Sequence, residues 1–194
     1  MSTKSTDPAA LIPRPKRADA RRNYEKLLTA AREVLTEDDT EASLEEIARR
    51  AGVGIGTLYR HFPTRQNLLE AVYVDEVEAV SRSAQEFAGL APWDALVSWL
   101  RRFVGYVATK QALAEELFAY AGPNPEIFAS CRSALFAAGG PLLARAQEAG
   151  AVRRDVDIND VLQIVSAVAK LSTPDAAHRS RLLDVALDGL RPRA

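Results

Sequence analysis

The sequence predicts an all-α protein of about nine helices, an N-terminal three-helix module followed by a longer helical C-terminal part. Three observations carry this prediction. Apolar residues recur at spacings of three and four along the whole chain, and no run alternates apolar and polar residues between turn residues. Capping residues, glycines and prolines then cut the pattern into helix-sized pieces.

The chain opens with Pro8, Pro13 and Pro15 around a cationic stretch, Arg14, Lys16, Arg17, Arg21 and Arg22, opposed locally only by Asp19. Such a stretch is either a phosphate-binding arm or a solvated tail. Residues 1–18 are expected to form a basic flexible arm. A first helix begins near Asp19 and places Tyr24, Leu27, Leu28, Ala31, Val34 and Leu35 on one face; the acidic run Glu37 to Glu41 ends it. Ser43 starts the second helix. With Glu46 three residues on, it has the capping-box pattern, in which hydroxyl and carboxylate each satisfy an unpaired backbone donor. Leu44, Ile47 and Ala48 supply the buried stripe, and Gly52 provides the turn where a left-handed backbone costs little. Gly54 to Phe62 forms a third helix, stopped by Pro63.

Thr64 caps a longer helix from about Arg65 to Phe87, with Leu68, Leu69, Val72, Tyr73, Val77 and Val80 as its apolar positions. Beyond Gly89, Pro92 opens a segment carrying Trp93, Leu96, Val97, Leu100, Phe103, Val104 and Val107, and a separate short helix is expected over about Leu113 to Ala121. Gly122-Pro123-Asn124-Pro125 is a break, after which Glu126 to Gly150 is helical, either kinked or interrupted at Gly139-Gly140-Pro141. Asn159 to Leu171 and Ala176 to Leu190 complete the set. In this last pair the apolar positions cover more than one helix face. A second buried surface beyond the monomer core is expected, a dimer interface built on Val161, Ile164, Val165, Val168, Leu183 and Leu187; a helix wrapped by its own chain is the alternative.

Composition limits the function. A chain of 194 residues with net charge −1 is large enough to bury a core, and its single cysteine, Cys131, makes no intrachain disulfide. No export signal opens the chain, and the apolar runs, such as Ile164 to Ala169, fall short of the roughly 20 residues that span a bilayer. A cytoplasmic protein without a membrane partner is expected. The charge is uneven: residues 1–65 hold 12 Lys/Arg against 10 Asp/Glu, and the remainder 13 against 16. An enzyme lacks its parts, because His61 and His178 are the only histidines and there is neither a Gly-x-Ser-x-Gly nor a phosphate loop. No metal or cofactor is expected. Gly52-Val53-Gly54-Ile55-Gly56 imitates a dinucleotide fingerprint, but no strand precedes it and Thr57 stands at the third glycine position.

The segment Ser43 to Tyr73 has the pattern of a helix-turn-helix: Ala48 is small where the two helices cross, Gly52 makes the turn, and Val53 and Leu58 pin the second helix to the first. This run resembles the DNA-binding domain of the TetR family of regulators, whose recognition helix reads Gly-Thr-Leu-Tyr-x-His-Phe; here it is Gly56-Thr57-Leu58-Tyr59-Arg60-His61-Phe62. The resemblance is strong over roughly 17–73 and continues mainly as helix number and length. It implies a DNA-binding domain at 19–65 and an effector-binding and dimerisation domain at 66–194. It also implies a homodimer on a palindromic double-stranded DNA operator, acting as a repressor and released by a small-molecule effector.

By the same resemblance, Thr57, Tyr59 and His61 touch phosphates or base edges, and Arg65 and Ser43 meet phosphates; Arg17, Arg21 and Arg22 are the phosphate candidates of the basic arm. Ile55, Gly56 and Arg60 occupy variable positions that choose sequence, Arg60 through a guanine and Ile55 through a thymine methyl. Against this stand a packing role for Tyr59 and a helix-end role for His61. Candidate effector contacts are Trp99, Phe103, Tyr106, Phe118, Tyr120, Phe128, Cys131 and Phe136, whose apolar character points to an uncharged or weakly polar molecule. Cys131 is either an oxidant sensor or a small buried hydrophobe. The chain departs from the family in the loop at Glu37-Asp38-Asp39-Thr40-Glu41, which lacks glycine and is expected to weaken non-specific DNA binding. The competing reading is a helical interaction module whose helix-turn-helix no longer binds DNA.

Overall fold

The computed structural model describes residues 8–36, 43–120, 124–173 and 175–192, with the side chains of residues 9, 36, 108, 109 and 112–120 outside the description. Among the described residues the chain forms one helical turn, α1 (Pro8–Leu11), and eight longer helices. These are α2 (Ala18–Thr36), α3 (Leu44–Arg50), α4 (Ile55–His61), α5 (Arg65–Glu86), α6 (Pro92–Tyr120), α7 (Pro125–Glu148), α8 (Ile158–Ala169) and α9 (Ala176–Asp188). The all-helical expectation holds. The chain divides into two compact units, Met1–Glu78 with Thr109–Cys131, and Ala79–Ala108 with Arg132–Ala194.

In the first unit the α2 face expected from periodicity is the buried one: Tyr24, Leu27, Leu28, Ala31, Val34 and Leu35 are all covered. The N-terminal half of α5 goes further than its pattern suggests, since Leu68, Leu69, Ala71, Val72, Tyr73 and Val74 are buried on more than one face. Tyr73 stacks on Phe128 of α7 at a centroid separation of 4.6 Å.

In the second unit Trp99 organises the core. It is fully buried and donates its indole N–H to the Val80 carbonyl at 3.0 Å. The turn after α5 is held by Arg145, whose guanidinium donates to the Ala88 and Leu90 carbonyls at 2.5 and 2.6 Å. A reciprocal capping box of Asp157 and Asp160 starts α8, and Asp175 caps α9 through the His178 N–H.

Two expectations are corrected and one open alternative is decided. No separate helix begins near Leu113: α6 runs unbroken to Tyr120, because Ala108 to Leu113 contains neither glycine nor proline to stop it. At Gly139-Gly140-Pro141, where the sequence allows either a kink or an interruption, α7 continues through Pro141. Gly139 serves a close approach: a Cβ there would collide with the Trp99 ring and lie 2.9 Å from Ile158 Cδ1. Finally, α7 is long and apolar enough over 18 residues to cross a bilayer, which the sequence reading missed because Arg132 interrupts the run. Its apolar side chains Ile127, Cys131, Leu135, Leu142, Leu143 and Ala146 are buried within the chain.

Candidate nucleic-acid interface

The recognition element is built by a short sequence of local choices. Ser43, in extended conformation, accepts the Glu46 N–H at 3.1 Å and so caps α3. Only this half of the expected capping box is seen. The Glu46 carboxylate turns instead to Arg49, at 2.8 and 2.7 Å, and to Arg50 at 2.7 Å, because two guanidinium groups hold a carboxylate more strongly than one neutral N–H does. These hydrogen bonds, that from Arg49 foremost, pull the Glu46 pKa down to about 2, so it stays ionised near neutrality.

The turn follows from Gly52, whose φ of 65° lies in the left-handed region where a Cβ is costly. Val53 N–H returns to the Ala48 carbonyl at 3.0 Å, and Gly54 opens α4 by accepting from Thr57 and Leu58. Leu58 is fully buried and Phe62 is 2% exposed, so these two positions fix which face of α4 points inward. The opposite face carries Ile55, Gly56, Tyr59 and Arg60, all exposed, with Ile55 at 39% and Tyr59 at 46%. Large apolar side chains left exposed four residues apart on a two-turn helix are costly unless something covers them.

Thr57 and His61 are half-buried on the flank. His61 meets Tyr24 of α2 edge-on at 6.0 Å, and Tyr24 in turn lies 5.0 Å from Phe62. Burial, and secondarily the Arg60 charge, lower the His61 pKa below its ordinary 6.5, leaving the ring neutral near pH 7. Tyr24 is itself pushed up to about 12, chiefly by burial, and remains a neutral packing aromatic. Thr64 caps α5 through the Asn67 N–H at 3.1 Å, which sets Arg65 half-buried at the start of that helix.

Arg17, Arg21 and Arg22 are exposed, Arg22 pairing with Asp19 on the same turn. Arg14 differs: it is joined to Asp75 and Glu78 of α5, a connection for which the sequence offers no local signal. The acidic run Glu37–Glu41 lies outside the described residues, as do the side chains of Phe118 and Tyr120.

The candidate effector residues fall in both units. Trp99, Phe103 and Tyr106 form a continuous aromatic series along α6, with centroid separations of 6.1 and 5.5 Å, and all three are buried. Phe136 is half-buried in that unit; Phe128 and Cys131 belong to the other. Burial drives the Cys131 thiol up to about 12, so it is protonated near neutrality. Of the candidate dimer residues, Val161, Val165, Leu183 and Leu187 are covered by their own chain, whereas Ile164 is 43% exposed and Val168 half-buried. Leu171 at 47% and Val185 at 71%, part of the same wide apolar stripes, extend the exposed apolar set.

Comparison with known proteins agrees with this geometry. Residues 27–72 match the family model of bacterial regulatory proteins of the tetR family, and residues 91–192 match the SbtR-like transcriptional regulator C-terminal domain. Among solved structures, a TetR transcriptional regulator from Streptomyces coelicolor, SCO0520, is 40% identical; the match covers 88% of this chain and 99% of that one at a TM-score of 0.75. A TetR regulatory protein from Mycobacterium vanbaalenii is 36% identical, covering 92% and 100%, at a TM-score of 0.73. The HTH-type regulator SAR0097 of Staphylococcus aureus is 39% identical over 67 residues, a match that spans 34% of this chain and only 35% of that protein's length.

Proposed function

This chain belongs to the TetR family of bacterial transcriptional regulators, and we propose that it is a cytoplasmic repressor that binds a palindromic operator as a homodimer and is released by a small molecule. The observation that carries the reading is the outward face of α4. Leu58 and Phe62 anchor that helix inward, so Ile55, Tyr59 and Arg60 project as a short exposed edge.

In this reading residues 19–65 bind DNA and residues 66–194 bind effector and partner. Thr57, Tyr59 and His61 contact phosphates or base edges; Ser43, Arg65, Arg17, Arg21 and Arg22 contact phosphates. Ile55, Gly56 and Arg60 set sequence preference. Two recognition helices about 34–36 Å apart meet successive major grooves, so a small tilt of one against the other releases both. The α8–α9 surface supports dimerisation through Ile164, Leu171 and Val185, which are apolar and exposed in the single chain, and the half-buried Val168. The aromatic series Trp99, Phe103 and Tyr106 favours an uncharged or weakly polar effector.

The test is selection of duplexes from a randomised pool by the wild-type chain, followed by band shifts with Tyr59→Ala and Arg60→Ala. A palindromic sequence should emerge, Tyr59→Ala should abolish its binding without lowering the melting temperature, and Arg60→Ala should alter preference more than total affinity. Enrichment of nothing by a folded chain would favour an interaction module that has lost DNA binding.

A further inference from the structure

The N-terminal segment ahead of α2 carries several cations, and the structure separates one of them from the rest. Arg14 donates from Nη2 to Asp75 Oδ1 at 2.9 Å and to Glu78 Oε2 at 2.5 Å. These acceptors lie 61 and 64 residues further along, on α5, and their side chains are only 21% and 14% exposed. Asp75 is held from a second side as well, since Arg32 of α2 reaches its Oδ2 at 3.0 Å while also pairing with Glu76. Two guanidinium groups and three carboxylates therefore join the N-terminal segment, α2 and α5 at one place. An isolated exposed ion pair contributes little, but a partly buried network with charges shared between partners is harder to replace by water.

The surrounding segment is packed at the same place. Pro8 is buried, and Leu11, Ile12 and Pro15 are half-buried. Lys16, Arg17, Arg21 and Arg22, by contrast, are exposed. The segment thus has an anchored base followed directly by exposed cations, Lys16 and Arg17 just ahead of α2 and Arg21 and Arg22 on its first turns, where Arg22 pairs with Asp19. Tyr24 is the side chain that α2 presses against His61 and Phe62 at the end of the recognition helix.

We propose that Arg14 is a positioning residue for DNA binding: its bonds to Asp75 and Glu78 fix the N-terminal segment so that Lys16, Arg17, Arg21 and Arg22 are presented to phosphates from a pre-ordered base. A tail that must be ordered on binding loses affinity to that ordering, and one already fastened does not. Lysine does not replace Arg14, because an ammonium is more strongly hydrated than a guanidinium and costs more to hold against partly buried carboxylates. The inference rests on the DNA-binding reading of the preceding section.

The experiment uses the full-length chain, the duplex that the wild type selects from a randomised pool, and three variants: Arg14→Gln, Arg14→Lys and the exchange Arg14→Glu with Glu78→Arg. Binding is measured across salt concentrations, and trypsin cleavage after Lys16 and Arg17 is followed without DNA. Arg14→Gln should lower affinity about three- to tenfold while leaving the salt slope unchanged, since the phosphate-contacting cations are all still present. It should also speed cleavage after Lys16 and Arg17. Arg14→Lys should restore little of the affinity, whereas the exchange should restore most of it.

A salt slope shallower by about 0.9 in Arg14→Gln would make Arg14 a phosphate ligand and overturn the positioning role. Unchanged affinity, or unchanged cleavage, would overturn it as well; Arg14→Gln decides the matter alone if the exchanged pair does not fold. A wild-type chain that selects no duplex removes the DNA-binding reading and the positioning role together, and cleavage then still reports whether the segment is fastened.

Discussion

The ring of Trp99 lies where Gly139 would carry a side chain, so α6 and α7 approach each other through the absence of a Cβ. The same indole spends its only N–H on the Val80 carbonyl. One residue therefore fixes α6 against both α7 and the C-terminal end of α5. Gly139→Ala forces either the ring or the helix aside and should destabilise the chain by about 1–3 kcal/mol in urea unfolding. Adding Trp99→Phe should recover part of that loss, because the smaller ring leaves room for the methyl. Additive losses in the double variant would contradict the contact.

Gly56 has no such constraint. It sits in the first turn of α4 with an unexceptional φ, and a Cβ there would meet nothing within 4 Å. Since glycine in a helix costs up to about 1 kcal/mol relative to alanine, Gly56→Ala should stabilise the isolated protein by roughly half that or more. If the α4 face lies in a groove of DNA, the same methyl should weaken operator binding. A variant that is more stable yet binds equally well would place Gly56 away from the duplex.

His61 supplies a pH dependence with a defined sign. Its folded pKa is lowered below the ordinary 6.5 by burial and then by Arg60, so below that pH the unfolded chain binds more protons than the folded one. Stability should fall as the pH drops through 6.5 toward the lowered value, and this contribution should vanish in His61→Gln. Melting curves from neutral to mildly acidic pH for both proteins decide it; identical slopes would show that the ring is not desolvated by Tyr24.

Cys131 should behave as core. Fully buried and with its thiol pushed up to about 12, it should resist an aromatic disulfide reagent at neutral pH and react only when urea unfolds the chain. Rapid labelling of the native protein would reopen the oxidant-sensing role that its solitary position first suggested.

Much of the DNA-facing half was legible because its determinants are local. The inward face of α2, the turn at Gly52 and the termination of α4 near Pro63 each follow from a residue type whose backbone or burial preference acts over a few positions. The Ser43 cap was legible for that reason too, and the fate of Glu46 was not. Choosing between a backbone N–H and two arginines depends on where the Arg49 and Arg50 side chains swing, which the Ser-x-x-Glu spacing does not encode.

The exposed apolar surface of α8 and α9 shows the same limit. Val161 and Ile164 are equally apolar and three residues apart, yet one is fully covered and the other 43% exposed. Periodicity reports that a helix has two apolar faces without saying which its own chain uses.

By itself, the sequence determined the helical class, the order of the N-terminal helices and the recognition motif, because spacing, capping and glycine or proline chemistry act through the nearest neighbours along the chain. The tertiary structure alone decided that Arg14 belongs to α5, that Gly139 makes room for Trp99, and which apolar faces stay uncovered. Those facts are contacts between residues distant in sequence, and only packing in three dimensions selects among the many pairings that composition permits.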